Sequence, residues 1–204
     1  MREIAVHADV VCPFTHVGLR RVVAERRARG LDGRVALVVH AWPLECVNGE
    51  PLDPAFVAQE VEALRRAVAP DLFTGFDPAT FPTTSIPALA LTATAYERST
   101  EVGEAAALAL RDALFEHGRD IGDPDVVAEV AAGLGLPAAG DEALVWADYE
   151  AGKRLGVTGS PYFRAGGSTF FCPALDVSHD ESGFRVGFVP ERFAGFCDTI
   201  FDGC

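Results

Sequence analysis

The sequence predicts an α/β protein in which a sheet built from both ends of the chain is interrupted by an all-helical insertion. Three observations predict this class. Strand and helix patterns alternate before residue 53, only helical patterns occur over 53–155, and strand patterns return after 156. With 204 residues, 49% of them hydrophobic, the chain can form one large domain or a domain with a second one inserted into it.

The N-terminal segment has a strand–helix–strand pattern. Ile4 to Val11 is short, apolar and rich in β-branched residues, as is typical of a buried strand. Pro13 suits the first position of a helix that ends at Gly30, because its missing N–H has no partner there. Since Val35 to Trp42 is a second buried strand, we expect the two strands to be parallel.

Five helices and no strand are predicted in the middle of the chain. Asp or Ser residues followed by Pro give clear helix starts, and Gly residues give clear ends. A loop rich in Pro, Gly and Thr covers 70–84. We expect the helices at 53–68, 85–98, 101–117, 123–135 and 141–155.

Strand patterns return at Pro161. The segments 161–165 and 168–172, joined by a Gly-Gly turn, predict a hairpin; a second turn at 180–183 and a closing helix over 190–202 follow. The outer pieces then complete a thioredoxin-like sheet. We therefore assign 1–52 and 156–204 to a discontinuous thioredoxin-like domain, and 53–155 to an inserted helical domain.

The charge distribution excludes some classes of partner. A formal net charge of −13 would repel nucleic acid, and the arginines of the first helix are typical of a solvated face. No apolar run is long enough to span a bilayer, so a membrane location is not expected. Because the first residues lack the pattern of a signal peptide, the expected location is cytoplasmic.

Five cysteines are present, and their spacing does not indicate structural pairs. A reducing compartment would disfavour disulfides, and no zinc-binding spacing occurs, so no metal is expected. The sequence therefore indicates one or more functional thiols among ordinary buried cysteines. Cys12 and Cys172 are candidates for such thiols. The other three cysteines show no functional signal: Cys46, Cys197 and Cys204.

Cys12 lies where the first strand passes into the first helix. Unpaired N–H groups and the helix dipole stabilise an anion there, so we expect the pKa of this thiol to be depressed. A buried core cysteine is the equally weighted alternative. Thr15, three residues on, can donate hydrogen bonds to a thiolate but cannot form a disulfide; the alternative is an ordinary first-turn threonine.

A second signal is GVTGSPYF at 156–163, where Pro161 stands at the start of a strand. Together the two segments carry a resemblance. HADVVCPFTHVG at 7–18 resembles the active-site segment of DsbA-like proteins, GVTGSP resembles their cis-proline loop, and ALF at 113–115 with DIGD at 120–123 resembles their helical domain. The resemblance is closest to the FrnE-like dithiol–disulfide isomerase branch, in which the active site has two cysteines. The 2-hydroxychromene-2-carboxylate isomerases and kappa-class glutathione transferases are close relatives with the same layout.

The resemblance implies roles for the site residues. Cys12 takes the place of the attacking cysteine and Pro161 that of the cis-proline, whose neighbouring backbone pairs with substrate. Ser160 takes the variable position before it, and Pro13 and Phe14 follow Cys12 on the substrate side. Thr15 stands where dithiol enzymes have their resolving cysteine, so no local disulfide can form. In the isomerase and transferase relatives a serine replaces the cysteine, and glutathione is bound.

A different thiol must therefore resolve a Cys12 mixed disulfide. The candidates are a low-molecular-weight thiol, glutathione or mycothiol, and Cys172 at the end of the predicted hairpin. Two strand spacings place Cys172 about 9–10 Å from Cys12, beyond disulfide reach without movement. Its alternative role is that of a buried strand-end residue.

Three functions are compatible with these residues. The leading one is a thiol–disulfide oxidoreductase with a single nucleophile, acting on a disulfide-containing protein or a small-molecule thiol substrate. The alternatives are a thiol-dependent isomerase or transferase and a non-catalytic peptide-binding or chaperone-like module. Among nearby polar residues, we expect His7 to be packed and His16 solvated, and Asp9 either to position the active-site turn or to raise the Cys12 pKa.

Overall fold

The computed structural model describes residues 1–180 and 183–201. Six strands and eight α-helices occur in this part of the chain, with a short 3₁₀ turn at Pro78–Thr80. In chain order they are β1 Arg2–Ala8, α1 Pro13–Ala28, β2 Val35–Ala41, α2 Leu44–Asn48, α3 Pro54–Ala67, α4 Ile86–Arg98, α5 Thr100–Phe115, α6 Pro124–Gly133, α7 Glu142–Arg154, β3 Tyr162–Ala165, β4 Ser168–Phe171, β5 Leu175–Asp180, β6 Gly183–Phe188 and α8 Pro190–Phe201.

A four-stranded sheet joins the two ends of the chain. Its strand order is β2-β1-β3-β4, with β1 parallel to β2 and the other pairs antiparallel. Val6 at the centre of β1 pairs with Val39 and Phe163, and belongs to a core that includes residues of α1 and α8. The predicted β-α-β unit and the Gly-Gly hairpin are confirmed, and with them the thioredoxin-like α/β class.

The middle of the chain is helical, as predicted. Asp53, Asp123 and Asp141 each accept a hydrogen bond from the backbone N–H two residues on, which fixes the starts of α3, α6 and α7. The described residues between α3 and α7 contain no strand. No helix within 1–180 or 183–201 has both the length and the apolar character needed to cross a membrane.

The helical insertion is fastened to the sheet by polar contacts. Glu104 of α5 accepts two hydrogen bonds from Arg26 of α1, at 2.7 and 2.8 Å, and one from the Leu37 N–H of β2 at 2.7 Å. Tyr96 of α4 donates its hydroxyl to the Leu37 carbonyl at 2.9 Å. Since Val10 and Val17 also share a hydrophobic core with α3, α4 and α5, the two predicted domains pack as neighbours; their boundaries at 52/53 and 155/156 stay a prediction.

Three local details differ from the predicted elements. β1 ends at Ala8 rather than at Val11, because the Asp9 carboxylate accepts the Val11 N–H and turns the chain. The short helix α2 was not predicted. The hairpin of β5 and β6 was not predicted either, since only a turn at 180–183 was expected there; residues 181–182 of that turn lie outside the described part of the chain.

The close approach of α5 to α4 generates a stability prediction. A Cβ atom on Gly103 would collide with the ring of Tyr96, whose hydroxyl holds β2. Gly103→Ala is therefore expected to lower the free energy of unfolding by about 1–3 kcal/mol, as overpacking does. Gly133→Ala, at the exposed end of α6 with open space around its Cβ, is the control and should change it by less than about 1 kcal/mol. If the two variants lose the same free energy of unfolding in a urea titration, the tight crossing of α4 and α5 is refuted.

Candidate active site

Cys12 occupies the N-cap position of α1, with Pro13 at the first helical position. Its side chain is only 3% exposed, and its thiol donates a hydrogen bond to the Ser160 carbonyl at 3.3 Å. The Ser160–Pro161 peptide bond is cis. The fold thus brings together the two segments that the sequence singled out, although 148 positions separate Cys12 from Ser160.

Two hydroxyl groups lie beside the Cys12 sulfur. Ser160 Oγ accepts the Asp9 N–H at 3.0 Å and lies 2.8 Å from Thr15 Oγ1. When Ser160 donates to Thr15, the Thr15 hydroxyl is free to donate to the sulfur, and when Thr15 donates to Ser160 the Ser160 hydroxyl is free to do so. A hydrogen bond from either hydroxyl lowers the Cys12 pKa. Thr15 therefore occupies the place of a second thiol but supplies a hydrogen-bond donor instead.

Asp9 positions the active-site turn, the first of its two predicted roles. Its buried carboxylate accepts the Val11 N–H at 3.2 Å, the Leu44 N–H at 2.6 Å and the Ser85 hydroxyl at 3.1 Å. Burial raises the pKa of Asp9 to about 6 despite these hydrogen bonds. Asp9 thereby joins the Cys12 turn to α2 and to the start of α4.

The expected low pKa of Cys12 is wrong. Burial raises it above its ordinary value, although hydrogen bonds from Thr15 and Ser160 oppose the shift. A helix N-terminus stabilises a nearby anion by about 0.3–2 kcal/mol. Full burial disfavours the anion more strongly, since it can shift a pKa by several units. Position at the helix start was visible in the sequence, but the nearly complete burial depends on tertiary packing.

Cys172 directly follows β4, which ends at Phe171, one residue before the predicted strand end. Its backbone N–H donates to the Pro161 carbonyl at 3.0 Å. Burial and, to a smaller extent, the charge of Cys12 raise the pKa of this thiol to about 12. The four cysteines of the described chain are free thiols, and Cys204 lies outside the described residues.

The two histidines of the active-site segment are both buried. The expectation of a solvated His16 is wrong: it bonds Glu116 at 2.8 Å and packs against Phe115. Burial alone would raise the pKa of Glu116, but hydrogen bonds from His16 and the backbone at 73–74 lower it to about 2. His7 is packed as expected, and burial lowers its pKa to about 4.

The helical insertion contributes two charged residues that the sequence analysis missed. Glu60 of α3 is buried, and its charge acts to raise the Cys12 pKa. Arg111 of α5 is also buried, and it donates to the Asp9 carbonyl at 3.1 Å. A weak signal existed for Glu60, because it interrupts the apolar face formed by Val57, Val61 and Leu64 of an otherwise amphipathic helix.

A cavity of about 410 Å³ opens beside the Cys12–Ser160 contact. Phe14 and Ser160, both predicted to contact substrate, line it together with Cys172. Pro13 and Pro161 belong to the same junction but do not line the cavity. The arrangement offers a buried thiol, hydroxyl donors for its anionic form and space for a small molecule.

The raised pKa predicts how Cys12 reacts with an alkylating agent. Since the thiol stays protonated until the pH exceeds its ordinary value, the alkylation rate of Cys12 should keep rising through about pH 9. Mass spectrometry of the Cys12 peptide follows the rate, with a free cysteine derivative as the reference. A plateau below about pH 8 would mean that the helix terminus dominates.

Glu60 predicts a pH-dependent stability. Burial raises its pKa to about 7 from 4.5, so its contribution is present below the lower value and lost as the pH rises through the upper one. Glu60→Gln should therefore gain stability over wild type above about pH 5, reaching about 3 kcal/mol near pH 8. Glu62→Gln, on the exposed face of α3, is the control. Parallel stability curves for Glu60→Gln and wild type would contradict the burial argument.

Solved structures share the fold. The cytosolic disulfide reductase DsbM from Pseudomonas aeruginosa superposes with a TM-score of 0.60 at 16% identity, covering 96% of this chain and 93% of that one. A 2-hydroxychromene-2-carboxylate isomerase gives 0.58 at 14% identity, covering 83% and 88%. The disulfide bond oxidoreductase DsbG from Mycobacterium tuberculosis gives 0.50 at 14% identity, covering 98% and 78%.

The sequence itself carries the family assignment. No curated protein matches it significantly. Residues 3–180 match the family of DSBA-like thioredoxin domains, a range that includes the Cys12 turn, the helical insertion and the Ser160–Pro161 loop. The chain therefore belongs to the DSBA-like thioredoxin domain family.

Proposed function

We propose that this protein is a thiol–disulfide oxidoreductase that works through one nucleophile, Cys12. The observation that carries the proposal is the junction of Cys12 with Ser160 and Thr15, in which a hydroxyl group stands where a second thiol would be needed. Family membership and the similarity to a disulfide reductase support the reaction class.

The reaction proceeds by two thiol–disulfide exchanges. The Cys12 thiolate attacks a disulfide R–S–S–R′, forming Cys12–S–S–R and releasing R′–S⁻, which takes up a proton. A second thiolate, G–S⁻, attacks the substrate sulfur of the mixed disulfide. G–S–S–R forms and the Cys12 thiolate is released. Over the two steps the thiol G is oxidised to a disulfide and the R′ sulfur is reduced to a thiol, so the electrons balance and Cys12 is regenerated.

The raised pKa limits the first step. At neutral pH most Cys12 is protonated, and its thiol donates to the Ser160 carbonyl. Once the proton is lost, the hydroxyl groups of Thr15 and Ser160 can stabilise the anion. The attack is therefore slower at neutral pH than for a thiol whose pKa lies near the ambient pH.

A low-molecular-weight thiol is the proposed resolving agent. Cys172 is the internal candidate, but with a pKa of about 12 its thiolate fraction is minute near neutral pH. The Cys172 N–H also donates a hydrogen bond to the Pro161 carbonyl, which fixes the backbone at Cys172. Glutathione and mycothiol are the two small thiols proposed, and a reducing cytoplasm is the compartment in which either would be available.

The second candidate function is a thiol-dependent isomerase or transferase. One observation favours it: the buried Cys12 thiol is protonated and donates a hydrogen bond, as a serine hydroxyl would. In that case Cys12 would orient the thiol of a bound cofactor without reacting covalently. Covalent chemistry at Cys12 separates the two functions.

A purified mixed disulfide between Cys12 and a chromogenic thiol tests the proposal. Alone it should persist, because Cys172, the internal candidate, has a minute thiolate fraction near neutral pH. Added glutathione or mycothiol should free Cys12, with the chromogenic group leaving as its disulfide with the added thiol, at a rate proportional to the thiol concentration; mass spectrometry of the protein follows the loss of the adduct. Cys12→Ser should form no such adduct at this position.

Two further variants identify the resolving thiol. Cys172→Ser should leave the release rate within about twofold of wild type, and Cys46→Ser, a half-buried cysteine elsewhere, is its control. Rapid release without added thiol that Cys172→Ser abolishes would make Cys172 the resolving residue. Failure of Cys12 to form any adduct would favour the isomerase or transferase.

A further inference from the structure

The hairpin of β5 and β6 has no role in the chemistry proposed above, yet it lies against both helices that border the site. The Phe184 ring packs edge-on against Phe56 of α3, with centroids 5.0 Å apart. The Phe188 ring stacks under the Arg21 guanidinium of α1 at 3.8 Å. The hairpin thus reaches from the helix that Cys12 caps to the helix that carries Glu60.

The base of the hairpin is held by α8. Arg192 donates to the carbonyls of Pro173 and Leu175, the first at 3.3 Å, and lies 3.7 Å from the Asp176 carboxylate. Together with the contacts to α1 and α3, these bonds fix the hairpin on three sides. It is therefore a wall of the site rather than a loose extension.

This wall contributes to the cavity beside the Cys12–Ser160 contact. Leu175, Asp176 and Val177 of β5 line the 410 Å³ space together with Phe14 and Ser160. Sites for small molecules occupy about 300–1,000 Å³. Contact with a folded protein instead needs about 800 Å² of accessible surface on each partner, and a nucleophile that is only 3% exposed is poorly placed for it.

We propose that the hairpin restricts Cys12 to low-molecular-weight disulfides and excludes disulfides within folded proteins. The inference rests on the proposed function and names its substrate class. The cavity also favours substrates with an apolar part, because the side chains of Phe171, which is 59% exposed, and Val177 line it. The reaction is the same pair of thiol–disulfide exchanges, in which both R and R′ are small enough to enter the cavity beside Ser160.

The test compares two substrates on two proteins. The substrates are bis(2-hydroxyethyl) disulfide and insulin, each with glutathione as the reductant and each corrected for its uncatalysed rate. The second protein has residues 177–186 replaced by Asn-Gly. Because Asp176 pairs directly opposite Gly187, a two-residue turn can close the shortened hairpin, and the Arg192 contacts at its base are kept.

We expect wild type to act on the small disulfide and to show little activity on insulin. The shortened hairpin should raise the insulin rate by at least about tenfold, while the rate on the small disulfide changes by less than about threefold. Cys12→Ser in either background should abolish both activities.

A point variant gives the same test without a deletion. Phe56→Ala removes the contact of α3 with Phe184, and because Phe56 is 44% exposed the fold should tolerate the change. It should shift the insulin-to-small-disulfide ratio in the same direction. Trp146→Ala, an equally exposed aromatic residue on α7, is the matched control and should leave the ratio unchanged.

The outcomes separate the two proposals. The selectivity is refuted if wild type acts on insulin as fast as on the small disulfide. It is also refuted if neither the shortened hairpin nor Phe56→Ala raises the insulin-to-small-disulfide ratio. In both cases the oxidoreductase function stands. If Cys12 reacts with neither substrate, in the wild type or in either variant, both the oxidoreductase function and the selectivity are refuted.

Discussion

The hydrogen bonds of Ser160 hold the reactive centre together. Through its carbonyl it accepts the Cys12 thiol, through its hydroxyl it pairs with Thr15, and the Asp9 N–H donates to the same hydroxyl. These contacts join the end of β1 and the start of α1 to the strand that follows Pro161. Since Asp9 in turn holds α2 and the start of α4, the geometry around one sulfur depends on four separate parts of the chain.

The electrostatics of the site come largely from the helical insertion. Arg111 lies fully buried within reach of the Asp9 carbonyl, and burial lowers its pKa to about 10. Glu60 opposes it, because its carboxylate disfavours a thiolate at Cys12. The insertion therefore places both charges around a nucleophile that belongs to the sheet domain, while burial remains the main reason why the Cys12 pKa is raised.

Much of this architecture follows from local signals in the sequence. The Asp and Pro residues before α3 and α6 specify helix starts by a side-chain hydrogen bond and a fixed φ angle, and Gly166-Gly167 specifies a hairpin turn. Cys12 and Pro161 were singled out by their places at element boundaries. The burial of Cys12 and His16 and the β5–β6 wall depend on contacts between distant segments, which no local pattern encodes. The local pattern of α3 indicates only that Glu60 lies on the apolar face, not that it approaches Cys12.

The attachment of Glu104 to both Arg26 and the Leu37 N–H has a consequence for the modularity of the protein. An insertion is often regarded as a cassette that can be exchanged while its host fold is left intact. Here the sheet domain without α5 would leave the Arg26 guanidinium and an edge of β2 without their shared carboxylate. The sheet and the insertion must therefore diversify together, because a replacement insertion would have to supply a carboxylate at the same place.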